Sequence, residues 1–214
     1  LDAGQTGLFA ENAGKLGLRL ADVDYAVLSH AHYDHADGMP VFFEQNDRAK
    51  LYLKESCREN CYDRKEGRMK YIGIKSGMLE KYRDRIIRVS GDKKINDGVW
   101  LISHSAESMK KAGEREHMYL REGNDWVPDC FAHEQSLVFE TESGIVIFNS
   151  CSHGGADNII NEVSAAFSGR QICAMIGGFH LYNKSAEYVR RFAEKVRATG
   201  VEKIYTGHCT GEEG

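Results

Sequence analysis

The sequence predicts a layered α/β protein, and three observations carry that prediction. Apolar runs of strand length alternate with amphipathic stretches of helix length along the chain. Segments 136–140 and 145–149 are joined by Thr141-Glu142-Ser143-Gly144, a hairpin signal that implies an antiparallel pair. Histidines recur beside glycine at the ends of apolar runs, where open α/β sheets place their active sites.

Taken in order, a helix is expected over 7–16 after the turn Asp2-Ala3-Gly4. A strand follows over 24–29, around the apolar Tyr25-Ala26-Val27-Leu28, and then a helix over 39–45. Apolar Leu51 and Leu53 mark a strand over 50–53, and helices follow over 55–62 and 77–82. Ile86-Ile87 and Val99-Trp100-Leu101-Ile102 centre strands over 86–89 and 99–103. After the hairpin come a helix over 157–167, a strand over 172–176, a helix over 185–199 and a strand over 203–205. In the helix over 185–199, Tyr188, Phe192 and Val196 recur every fourth residue among charges, so one face packs and the other is solvated. Residues 104–131 are charged and weakly periodic, which reads as a surface loop or lid.

A chain of 214 residues with 42% hydrophobic content supports one substantial core, so a single domain over 1–214 is expected. Charged residues make up 28% and the net charge is −4, which advertises no basic face for nucleic acid. No apolar run approaches the roughly 20 residues that cross a bilayer, and no secretory signal is visible, so a cytoplasmic protein without membrane association is expected. Six cysteines are too sparse for a disulfide scaffold and read as reduced thiols. Cys57 and Cys61 are one helical turn apart with no second pair, and read as ordinary helix residues. Both ends look cut: Leu1-Asp2-Ala3-Gly4 reads as the end of a strand, and a motif-like loop stands at 207–211. Nothing in the sequence sets the oligomeric state.

The densest chemistry lies in Ser29-His30-Ala31-His32-Tyr33-Asp34-His35-Ala36-Asp37-Gly38, directly after an apolar run. Neutral imidazole and carboxylate are ligands for borderline cations such as Zn²⁺. In extended chain His30 and His32 point the same way and can grip one ion, while Asp34 and His35 follow the turn and can face a second. Two compact sites need further ligands, and His153, His180 and His208 each stand at a strand end beside glycine. His104, His117 and His133 carry weaker signals of the same kind.

His30-x-His32-x-Asp34-His35, the upstream Asp2-Ala3-Gly4 turn and the strand-end histidines resemble the metallo-β-lactamase superfamily. More narrowly, Leu1 to Phe9, Ser150-Cys151-Ser152-His153, Gly177-Gly178-Phe179-His180-Leu181 and Gly207-His208-Cys209-Thr210-Gly211 resemble its subgroup related to dihydropteroate synthase, some of whose members join a dihydropterin to ribofuranosyl-aminobenzene phosphate. The resemblance implies a four-layer αββα sandwich of two mixed sheets, with one or two further strands before the Asp-x-Gly turn. It also implies two divalent ions, zinc first, with manganese or iron as alternatives. Carried over by position, His30, His32 and His153 hold one ion, and Asp34, His35 and His208 the other. Cys151 stands where related enzymes often have a bridging Asp, so either its thiolate ligates or His153 is the only ligand from that loop. His180 is a further ligand, an acid or a hydrogen-bond donor to substrate phosphate, and the substrate role is favoured.

Two divalent ions lower the pKa of a bound water towards neutrality and neutralise charge developing on a phosphoryl or carbonyl oxygen. The expected function is therefore hydrolysis of a phosphorylated or pterin-like small molecule, with Asp34 as ligand and proton acceptor. The alternatives are a pterin-related transferase that releases diphosphate, a di-iron redox protein, and a non-catalytic ligand-binding member.

Overall fold

The computed structural model describes residues 1–105 and 107–212, so the last two positions of the expected domain and Ala106 of the expected 104–131 insertion lie outside it. The strands are β1 (Tyr25–Val27), β2 (Lys50–Lys54), β3 (Cys61–Lys65), β4 (Arg68–Tyr71), β5 (Ile86–Val89), β6 (Lys93–Asn96), β7 (Val99–Ser103), β8 (Met118–Glu122), β9 (Asp125–Pro128), β10 (Gln135–Thr141), β11 (Gly144–Asn149), β12 (Ile172–Gly177) and β13 (Ile204–Thr206). The α-helices are α1 (Leu8–Lys15), α2 (Tyr33–Ala36), α3 (Met39–Gln45), α4 (Met78–Lys81), α5 (Ala112–Glu116), α6 (Ala156–Ala166) and α7 (Ala186–Ala198). This is the mixed α/β architecture the sequence predicts, folded into two compact units that each draw on two stretches of chain.

The first unit comprises residues 1–90 and 111–133. Its strands β1, β2 and β5 form a parallel sheet in the order β1-β2-β5. Parallel strands are covered on both faces, which fits the continuous burial of Leu51, Tyr52 and Leu53. Met39 and Phe42 of α3 are buried with Leu28, Ile74 and Phe131 in this unit's core, and each such side chain contributes about 1.5–3 kcal/mol by leaving water. A second sheet, β4-β3-β8-β9, is antiparallel throughout.

That second sheet departs from the sequence reading. Residues 55–62 are not a helix: the chain turns after β2 and enters β3 at Cys61, which pairs with Leu120 of β8. Cys57 and Cys61 are fully buried, but not as helix residues. Within the charged stretch 104–131 lie α5 and the β8–β9 hairpin. These strands are short, polar and half exposed, so period-2 alternation was too weak to mark them.

The second unit comprises residues 91–110 and 134–214 and contains the six-stranded sheet β13-β12-β11-β10-β7-β6. β10 and β11 form the expected hairpin, from Leu137 opposite Phe148 to Thr141 opposite Gly144, while β11, β12 and β13 run parallel. α6 buries Ile159, Ile160 and Val163 against Ile145, Ile147 and Met175 of the sheet. Gly177 is required where β12 passes β11, because a Cβ there would sit 1.5 Å from the Asn149 carbonyl oxygen. α7 starts on Ser185, whose hydroxyl accepts the Tyr188 N–H at 3.3 Å. No helix among the described residues is long and apolar enough to cross a membrane.

Candidate metal centre

The motif of the first unit follows β1. His30, in a bend, and His32, on extended chain, are both buried, and His32 bridges to Gly73 before α2 turns Asp34 and His35. The His30 ring lies 4.6 Å from that of His32 and 4.2 Å from that of His35, centre to centre. His30, His32 and His35 therefore cluster, with Asp34 Oδ2 3.3 Å from His35 Nε2.

What fixes the cluster is Asp2. Its backbone N–H donates to the Val27 carbonyl, and the Ala3 N–H to that of His35, so the Asp-x-Gly turn is laced to both sides of the motif. Asp2 Oδ1 accepts the Ser29 N–H at 2.8 Å; Oδ2 accepts the Ser29 hydroxyl at 2.7 Å and His35 Nδ1–H at 2.9 Å. With its one hydrogen given to Asp2, the Ser29 hydroxyl can only accept from His30 Nδ1, 2.8 Å away. One carboxylate thus engages Nδ1 of both rings, directly at His35 and through Ser29 at His30, as carboxylates behind metal-binding histidines usually do. Asp2 does this with φ at +58°, a left-handed conformation that Asp tolerates better than most residues. Gly38 closes the same turn, because a Cβ there would meet the Ala3 carbonyl oxygen at 2.1 Å.

Burial pushes the His32 imidazole down to about 3, so it is neutral at any physiological pH. Burial also opposes charge on His35, but the carboxylates of Asp2 and Asp34 outweigh it and hold that ring up to about 10. His35 is thus an imidazolium at physiological pH, flanked by the Asp2 and Asp34 carboxylates.

In the second unit the loop after β11 carries His153 and Cys151, both buried. Glu134, wholly buried, accepts the N–H groups of His153 at 2.9 Å and Gly154 at 3.0 Å. Asn149 accepts the Ser152 N–H and donates to Ser136, which in turn bonds His104; His104 is anchored on Glu162. His104 is thus a structural link beneath the loop, and His117 lies at the end of α5 in the first unit. The His153 and His180 rings are 4.8 Å apart. Cys151 offers its sulfur within 4.8 Å of a ring nitrogen of His153 and of one of His208.

Sequence reasoning passed over Cys209, although it stands inside the 207–211 motif. Its sulfur accepts the His180 N–H at 3.2 Å. A hydrogen bond from Cys151, opposed by burial and reinforced by His180, brings the Cys209 thiol down to about 5. Ser152, His180 and His208 all adopt left-handed backbone, with φ of 52°, 51° and 54°. Such residues cost about 1–3 kcal/mol each and gather at functional sites.

Imidazole nitrogens, a carboxylate and thiols are the donor set of a borderline divalent cation, and these residues fit one. Comparison with known proteins agrees. The family model described as the metallo-beta-lactamase superfamily matches residues 1–110. The 7,8-dihydropterin-6-methyl-4-(beta-D-ribofuranosyl)-aminobenzene-5'-phosphate synthase of Methanocaldococcus jannaschii is 26% identical, over 96% of this chain and 74% of its own. An uncharacterized protein of the same organism is 29% identical over 98% of this chain and 78% of its own. A solved metal-dependent hydrolase of the beta-lactamase superfamily superposes with a TM-score of 0.81 at 27% identity, covering 99% of this chain and 77% of that one. With the match spanning half of its 214 residues and carrying the histidine motif, this chain belongs to the metallo-beta-lactamase superfamily.

Proposed function

We propose that this protein is a dinuclear metal-dependent hydrolase of a phosphorylated or pterin-like small molecule. The observation that supports it best is the Asp2 carboxylate, which orders His30 and His35 as ligands before any ion arrives. The proposed ligands are His30, His32 and His153 for one ion and Asp34, His35 and His208 for the other, with Cys151 beside the last set. Two zinc ions bound there would supply a water of lowered pKa and a counter-charge for a phosphoryl or carbonyl oxygen.

The chain's own residues do the rest. Asp34, whose side chain is a third exposed, accepts a proton on its solvent side. His180 orients substrate oxygen by hydrogen bonding. The six cysteines stand as thiols rather than in disulfides, which fits a reducing compartment such as the cytoplasm.

A second reading, transfer with loss of diphosphate, is favoured by the synthase named among the relatives. Turnover in ¹⁸O-labelled water separates the two, since only hydrolysis places label in the product. Replacing His30 and His32 together with Ala should abolish both bound metal and turnover. Full metal stoichiometry in that variant would sink the assignment.

A further inference from the structure

His133, one of the three histidines with the weaker sequence signal, lies at the heart of the first unit's cluster. It is 2% exposed and packs 5.8 Å from the His32 ring and 6.3 Å from the His30 ring. Its Nδ1 accepts the backbone N–H of Ala31 at 3.1 Å, the peptide between those two histidines. Its Nε2 faces Asp129 Oδ2 at 3.0 Å and Cys61 Sγ at 3.7 Å, and its own carbonyl accepts the Cys57 thiol at 3.7 Å. Asp129 is itself buried, and its other oxygen accepts the Phe131 N–H at 2.7 Å.

His32, Cys61, Asp129 and His133 offer donor atoms within 4.8 Å of one another, which invites the reading of a separate metal site. The Ala31 N–H argues against it. A metal on Nε2 of a neutral imidazole requires the hydrogen on Nδ1, and that atom faces a donor. A cationic ring would meet the same N–H with a second hydrogen. Against its burial, the Asp129 carboxylate and Cys61 draw a second proton towards this ring, but the one protonation state that satisfies both contacts is the neutral Nε2–H tautomer, donating to Asp129 and accepting from Ala31.

We propose that Asp129 and His133 are positioning residues that fix the peptide between His30 and His32. The Asp129 carboxylate sets the tautomer of His133, and the bare Nδ1 then holds the Ala31 N–H, so both flanking rings keep their aim. The inference rests on His30 and His32 being metal ligands, as proposed above. Removing such support typically weakens metal binding about 10–100-fold.

Two variants dissect the contact. His133→Asn keeps an acceptor near the Nδ1 position and loses the reach to Asp129, whereas His133→Gln keeps a donor near Nε2 and loses the bond to Ala31. Zn²⁺ titration of the chelator-treated protein should give an affinity within a few-fold of wild type for His133→Asn and about 10–100-fold weaker for His133→Gln. Thermal unfolding of the metal-free proteins gives the control, because a merely structural residue would lower stability and affinity in parallel in both variants. Nitrogen-15 spectra of metal-free wild type should report the Nε2–H tautomer for His133. An Nδ1–H or doubly protonated ring, equal losses in the two variants, or Co²⁺ producing a Cys61-dependent thiolate charge-transfer band would each overturn the proposal. If wild type binds no Zn²⁺ while His133 has the expected tautomer, the metal-centre reading fails and the role in metal retention falls with it.

Discussion

Replacing Asp2 with Asn tests how the first unit is charged. Asn tolerates the left-handed backbone of this position, so the substitution removes charge while sparing the turn. It also turns one acceptor into an NH₂ group, set against either Ser29 or His35. The distance between an ordinary imidazole near 6.5 and His35 at about 10 corresponds to roughly 5 kcal/mol, at about 1.4 kcal/mol per pH unit. Asp2 and Asp34 share that support, and Asp2 makes the shorter contact, so its part is about 2–3 kcal/mol. The side chains of His35 and Asp2 are 6% and 10% exposed, so solvent screens the pair little.

The sign follows from the raised value. The His35 contribution is fully present below the unfolded pKa near 6.5 and is lost as pH rises through about 10. Urea unfolding of chelator-treated protein should therefore show wild type about 2–3 kcal/mol above Asp2→Asn near pH 6, with the gap narrowing towards pH 10. A gap that stays constant across that range, or a His35 resonance titrating near 6.5 in wild type, would refute the reasoning.

With His35 as a proposed ligand, Zn²⁺ displaces its proton, so affinity should rise about tenfold per pH unit up to about pH 10 and level off above it, measured by competition with a chelator of known pH dependence. Glu134→Gln sets an NH₂ group against the His153 or Gly154 N–H and should cost about 1–3 kcal/mol by denaturant unfolding, with faster amide exchange over 151–155. Gly177→Ala puts a methyl 1.5 Å from the Asn149 carbonyl oxygen and should cost more than about 4 kcal/mol or prevent folding, read as loss of soluble protein.

Long, continuous apolar segments were legible in the sequence. α3, β5 and β7 fall at the residues their apolar runs mark, and the 141–144 turn joins β10 to β11 in the expected register. The sheet of β3, β4, β8 and β9 was not legible, because its two hairpins are joined through β3 and β8 across more than fifty residues and its strands alternate weakly. Among site residues, the ligand motif of the first unit announces itself by density. Its supports do not: Ser29 finds Asp2 at a separation of 27 residues, and Ala31 finds His133 at 102. A side chain that serves by holding a backbone N–H leaves no periodic or compositional trace. The left-handed backbone of Ser152, His180 and His208 is likewise invisible in a sequence, since non-glycine residues give no sign of it.

One consequence lies in the order of the chain. His133 is the last residue of the first unit and holds the Ala31 N–H of one histidine loop; Glu134 opens the longer stretch of the second unit and holds the N–H groups of another. A single peptide bond therefore joins the two supports. An inserted residue at that junction would leave each support intact in composition yet lengthen the covalent link between them.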